Sequence, residues 1–158
     1  PDYDRCSVYF NMDNGSGKFR GIYTEGNVAV KSLFSEWFSP LSDLSEGTIN
    51  ANATGGTDHE SFDDVGLPGF QFMQDPLDYR QRLHHTHVDS FDHVLPDDMR
   101  QAAVAMATFA YEAAMAESRV PRKPMPTAPS ELEQQQEQEK ARKRQRAKER
   151  EALSELPQ

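Results

Sequence analysis

The sequence contains one cysteine, Cys6, in 158 residues. An intrachain disulfide and a thiolate zinc cluster are therefore excluded, because each needs more than one thiol. A lone cysteine does not fix the redox compartment. No apolar run approaches the roughly 20 residues of a membrane-spanning helix. There is no signal-peptide pattern, and the chain begins with Pro rather than Met, so its start reads as a cut. Basic residues are scarce in the first 118 positions, with 7 Lys and Arg against 19 Asp and Glu, a net charge near −12. Phosphate contacts need clustered Lys and Arg, so an acidic body argues against nonspecific nucleic-acid binding. Acidity is compatible with a cation site, although most acidic surface is simply solvated.

The last 40 residues lack Phe, Tyr and Trp and reverse the sign, to a net charge near +3. That change near Arg119 divides the sequence into a body over residues 1–118, a Pro-rich linker over 119–130 and a charged tail over 131–158. The tail reads as a lone solvated helix or as disorder. Its KARKRQRAKER core is interleaved with Glu and has no aromatics, which favours a solvated tail over nucleic-acid binding.

Within the body, the stretch Cys6 to Met12, CSVYFNM, is apolar, aromatic and β-branched, as a buried strand requires. The turn signal Asp13-Asn14-Gly15-Ser16-Gly17 follows it. Val30, Leu33, Phe34, Trp37 and Phe38 keep a helical stripe until Pro40. Thr48 to Ala53 alternates weakly, and a short helical piece follows around Glu60 to Val65. Gly69 to Met73, GFQFM, reads as the next strand. Gln74 to Pro96 has no periodicity. Asp97 and Asp98 then open the strongest helix, with Ala102, Ala103, Met106, Phe109, Ala110, Ala113 and Ala114 on one face and an end near Ser118. Strand, helix, strand, short helix, strand, helix is an α/β order, with helices packed over a sheet.

Three short segments concentrate groups that bind metal or move protons. FNMDNGSGK places Asp13 just past a strand, where α/β sheets bind ligands, although Asp-Asn-Gly is also good turn chemistry. TGGTDHESF supplies Gly55 and Gly56 for close backbone approach, then Asp58 and His59 at a helix start. There Asp58 either caps the helix or lines a site. RLHHTHVDS gathers His84, His85, His87 and Asp89. Imidazole is a common zinc ligand, and a ligating His usually passes its other N–H to a carboxylate. Neighbouring His-His side chains are expected to diverge, so one of the pair at most faces a given metal.

Taken in order, these segments resemble the zinc aminopeptidase and glutamate-carboxypeptidase family of co-catalytic metallopeptidases. The resemblance is strongest to bacterial peptidases and the plasma glutamate carboxypeptidase branch. It runs from about Cys6 to Pro126 and includes GGTDHESF, VGLPGFQFMQDPLDYR and HHTHVDS. The fold it implies is a three-layer α/β/α domain with a mixed sheet, of which this chain holds the C-terminal portion. In that family two zinc ions are held by a His, a bridging Asp, a Glu, a second Asp and a final His. The second Asp lies in an N-[LM]-D pattern, here Asn11-Met12-Asp13, and the final His opens an H-[TS]-x-x-D pattern, here His85 to Asp89. The resemblance thus implies Asp13 on one zinc and His85 on the other. It implies His84 as a support for the tetrahedral intermediate and Asp89 as a partner behind the ligands. Asp58, His59, Gly55 and Gly56 are expected around the pocket, with Gln74 to Tyr79 on the substrate side.

The family's first His, bridging Asp and Glu-Glu pair, which includes the catalytic base, precede the second Asp. Pro1 to Met12 contains neither His nor Glu. The expectation is a parent protein that hydrolyses terminal peptide bonds of a peptide or dipeptide, with this portion inactive alone and completed by an N-terminal part of the same domain. Relatives are commonly exported, which implies a secreted or periplasmic parent. Two other readings stand beside it: a non-catalytic interaction protein on a decayed peptidase fold, and a glutaminyl cyclase-like zinc enzyme.

Overall fold

The computed structural model describes residues 2–124. After a single helical turn, α1 (Asp2–Arg5), come strands β1 (Tyr9–Asn11) and β2 (Phe19–Tyr23) and helix α2 (Lys31–Phe38). Strand β3 (Thr48–Asn50), the short helix α3 (His59–Asp63), strand β4 (Gly69–Gln74) and the long helix α4 (Pro96–Met115) complete it. The strands form one mixed sheet in the order β1-β4-β2-β3. β4 runs parallel to β1 and antiparallel to β2, and β2 runs parallel to β3.

Residue alternation along β1 and β4 separates two faces. Phe10, Phe70 and Phe72 point to one face, where they meet Phe34 and Trp37 of α2 and Phe109 of α4. Tyr9, Asn11 and Gln71 point to the other, and there Tyr9 stacks on Phe62 of α3 with ring centroids 4.0 Å apart. Helices therefore cover both faces of the sheet, in keeping with the α/β expectation. Aromatic residues carry the main core: Phe109 packs edge-on against Phe10, Trp37, Phe38 and Phe72.

Strand β2 has no counterpart in the sequence reading. Its register with β4 shifts between Phe19 and Gly21, and both Phe19 and Ile22 are fully buried. The irregularity breaks the period of two that marks a strand, and a central Gly resembles a turn signal. Gly21 is there for space, because a Cβ would lie 2.0 Å from the Thr48 carbonyl oxygen. The Phe19 amide donates instead to the Gln101 side-chain oxygen of α4 at 3.0 Å.

The α4 face also differs from expectation. Ala102, Ala105 and Phe109 are buried, whereas Ala103, Ala110 and Ala114 are exposed. The helix begins at Pro96, whose missing N–H costs nothing at that position, and Asp97 and Asp98 lie in its first turn. It ends at Met115, three residues earlier than the sequence implied.

The body continues past Ser118. Val120 is buried in the core and its N–H donates to Ser7 Oγ at 3.2 Å. The Asn27 carboxamide donates to the Pro121 carbonyl at 2.7 Å, and Lys123 Nζ reaches Asp63 Oδ2 at 2.5 Å. The beginning of the expected linker is thus strapped onto the body, while the charged tail lies outside the described residues.

Candidate functional site

Asp13 follows β1, with an exposed side chain at the C-terminal end of the strand. The loop behind it is tied to the end of β4: the Gly17 amide donates to the Asp75 carbonyl at 2.9 Å. Gly15 has φ +147, and a Cβ there would lie 2.8 Å from Gln74 Cβ. Asp75 itself accepts a two-point contact from Arg20, at 2.9 Å from Nε and 2.6 Å from the terminal nitrogen. The Arg20 guanidinium holds the Asp75 carboxyl below its ordinary range.

The aperiodic stretch after β4 contains one turn of π-helix, Tyr79–Leu83. Such turns are rare and frequently occur at functional sites. The Tyr79 hydroxyl donates to the Asp13 carbonyl oxygen at 3.1 Å. Burial, followed by the nearby Asp13 and Asp89 carboxylates, pushes the Tyr79 phenol up. The Tyr79 ring lies 5.0 Å from His84, and the His84 and His85 rings stack with centroids 3.8 Å apart and planes 25° apart.

That stacking corrects the expected divergence of the two histidines. His85 adopts a left-handed backbone, φ 59, which turns its side chain back over its neighbour. Histidine is among the residues that tolerate this region best, and such conformations cluster at functional sites. The turn is closed by the Thr86 hydroxyl, within 2.8 Å of the Arg82 carbonyl and 2.9 Å of the Leu83 carbonyl. His84, His85, His87 and Asp89 are all exposed.

A cavity of about 430 Å³ opens between the Asp13 loop, the segment after β4 and the start of α4. Asp13, Tyr79 and Asp89 line it, over an apolar floor that includes Met12, Met99 and Met106. His93, on a 3-10 turn over Phe91–His93, lines it as well. Sequence reading missed this residue because its Asp-His context has no distinctive spacing; its position after the His-rich segment was the available signal. Among the described residues no three His, Cys, Asp or Glu side chains converge as a metal site.

The TGGTDHESF segment has a different role from the expected pocket lining. Asp58 precedes α3 without a capping side-chain hydrogen bond. Gly56 has φ +88 and its amide donates to Glu60 Oε2 at 2.7 Å, while Gly55 packs against the same carboxylate. Both glycines thus serve the turn into α3. His59 is 1 % exposed and lies beneath the sheet, so it does not line an open pocket. Its Nδ1 is 2.6 Å from Thr57 Oγ1, and its Nε2 is 3.3 Å from the Thr54 carbonyl and 3.4 Å from Glu25 Oε1. Glu25, 3 % exposed, accepts from the Thr54 amide at 2.8 Å through its other oxygen. Burial pushes the Glu25 carboxyl up, and the Thr54 N–H and His59 act against that.

Comparison with known proteins identifies the family. Residues 1–110 match peptidase family M28. Carboxypeptidase Q from Rattus norvegicus is 28% identical over 118 residues, covering 75% of this chain and 25% of that protein. The chain thus spans about a quarter of the length of this curated relative. No solved structure matches. With its strand-end Asp13, its paired histidines and a family match across more than half its length, the chain belongs to peptidase family M28.

Proposed function

We propose that the intact protein is a zinc-dependent exopeptidase and that this chain supplies two of its metal-facing side chains. The observation that carries the reading is the contact series from Asp13 through Tyr79 and His84 to His85, which links the strand-end loop to the histidine loop. An exposed carboxylate and an exposed imidazole are donor types that suit zinc. Asp13 would hold one ion and His85 the other, with the remaining donors coming from outside this chain. When bound, zinc supplies Lewis acidity toward the scissile carbonyl.

The chain's own residues do the rest. His84 donates a hydrogen bond to the oxyanion that develops on the substrate carbonyl, a form of stabilisation that acts only in the transition state. Tyr79 fixes the Asp13 backbone. Asp89, on the cavity wall, orients the ligand side and contributes negative potential. The apolar floor accepts the substrate's terminal side chain. This chain alone lacks the proton-shuttling glutamate and is inactive by itself, and the intact protein is secreted or periplasmic.

The test uses the zinc-loaded intact protein with short peptides blocked at one end or the other. Turnover of only one blocked class is expected, and His85→Ala should abolish most of it. Near-normal turnover by His85→Ala would sink the site assignment, and cleavage of doubly blocked peptides would sink exopeptidase action.

A further inference from the structure

The peptidase reading leaves unused a polar network on the α3 face of the sheet, opposite the aromatic core. It joins four parts of the chain: Glu25 after β2, Thr54 to His59 leading into α3, Gln71 of β4 and Asn11 of β1. The Gln71 side-chain amide donates to the Phe72 carbonyl at 3.0 Å, which fixes its NH₂ toward that oxygen. Its Oε1 therefore faces the Asn11 Nδ2 donor at 2.8 Å and Thr57 Oγ1 at 3.0 Å. A carboxamide oxygen carries no proton, so the single Thr57 hydroxyl proton goes to Gln71. Turning that proton to His59 would leave two lone pairs facing each other across 3.0 Å.

Thr57 Oγ1 then presents a lone pair to His59 Nδ1, which must donate. His59 Nε2 faces the Thr54 carbonyl and Glu25 Oε1, and it must donate too. Both ring nitrogens carry protons only in the imidazolium. The facing Glu25 Oε1 is shut from water and has no hydrogen-bond partner, and with His59 Nε2 3.4 Å away an imidazolium there would supply the charge opposite it. Asp63 and Lys123 are the other charged groups that act on Glu25, and they pair with each other at 2.5 Å.

We propose that His59 is held as an imidazolium by Glu25 and acts as a positioning residue, setting through Thr57 and Gln71 the Asn11 carboxamide two residues ahead of Asp13. The effect on metal binding rests on the reading of Asp13 given above; the protonation and its reach to Asn11 do not. Buried ion pairs are costly to break by removing one partner, and their best-attested use is to select one arrangement over others. Here the arrangement selected is the height of the loop before α3 against the last residue of β1.

The test uses the intact protein labelled uniformly with ¹⁵N, with His59→Gln to assign the ring signals. It is run at neutral pH. Both His59 ring nitrogens should be protonated in the wild type. In Glu25→Gln one nitrogen should lose its proton, and the Asn11 side-chain and Asp13 backbone amides should shift while those of Ile22 and Phe109 stay in place. One bare ring nitrogen in the wild type, or unmoved Asn11 and Asp13 signals in Glu25→Gln, overturns the proposal. Should Glu25→Gln fail to fold, Thr57→Val cuts the network between His59 and Gln71; it must displace the same two signals, and their constancy overturns the proposal.

Zinc titration separates this idea from the peptidase reading. A wild type that binds no zinc overturns that reading and leaves the spectra to decide this one. If the wild type does bind zinc, Glu25→Gln should bind about tenfold more weakly, as for loss of a group that orients ligands. Unchanged affinity overturns the positioning role.

Discussion

The Tyr79 hydroxyl donates to the Asp13 carbonyl oxygen across 3.1 Å, joining residues 66 apart in sequence. It ties the loop after β1 to the π-helical turn after β4. Tyr79→Phe keeps the ring and removes only this donor. Because the contact is partly exposed, the expected stability loss is at most about 1 kcal/mol by urea unfolding. A larger loss would mean that the ring packing against His84 had changed as well.

Phe109 is the central test of the core. It is fully buried and packs edge-on against four other rings. Phe109→Ala should cost about 3–5 kcal/mol, measured as a fall in the denaturation midpoint at unchanged slope.

Gly21→Ala probes the strand that periodicity did not reveal. The new methyl would meet the Thr48 carbonyl at 2.0 Å, and backbone cannot swing aside as a side chain can. A loss of about 1–3 kcal/mol is expected, in the range of overpacked sites. An unchanged melting temperature would show that β2 and β3 do not pair as described.

The Arg20–Asp75 pair sets an acid limb. The folded Asp75 carboxyl is held below its unfolded value of about 3.9. Its contribution is therefore complete above that value and is lost as pH falls through the lower folded one. Asp75→Asn should flatten stability against pH over that acid window, in unfolding curves taken from neutral pH downward. An acid limb as steep as the wild type's would show that other carboxylates carry it.

β1, β4 and α2 were legible in the sequence because their apolar residues keep a clean period. The site was legible in part, since Asp13 follows a strand and the histidines cluster over a few positions. What escaped was set by contacts distant in sequence. The β2 bulge is satisfied by Gln101, 82 residues away, and the stacking of His84 on His85 follows from one left-handed backbone torsion. His59 misled for a similar reason. Its position at a helix start beside Asp58 reads as pocket lining, but its partner Glu25 is supplied by the segment after β2.

The strap over Val120 to Lys123 makes the end of this body a working part of its interior. Lys123 donates to the Glu25 carbonyl at 3.1 Å and also holds Asp63, so the last residues of the body grip the buried pair from outside. A proteolytic nick at Arg119 would therefore reach the interior of the body. It would release Val120 from the core and strip a cation from beside Glu25 and Asp63, loosening the α3 face of the sheet from a point remote in sequence from β1.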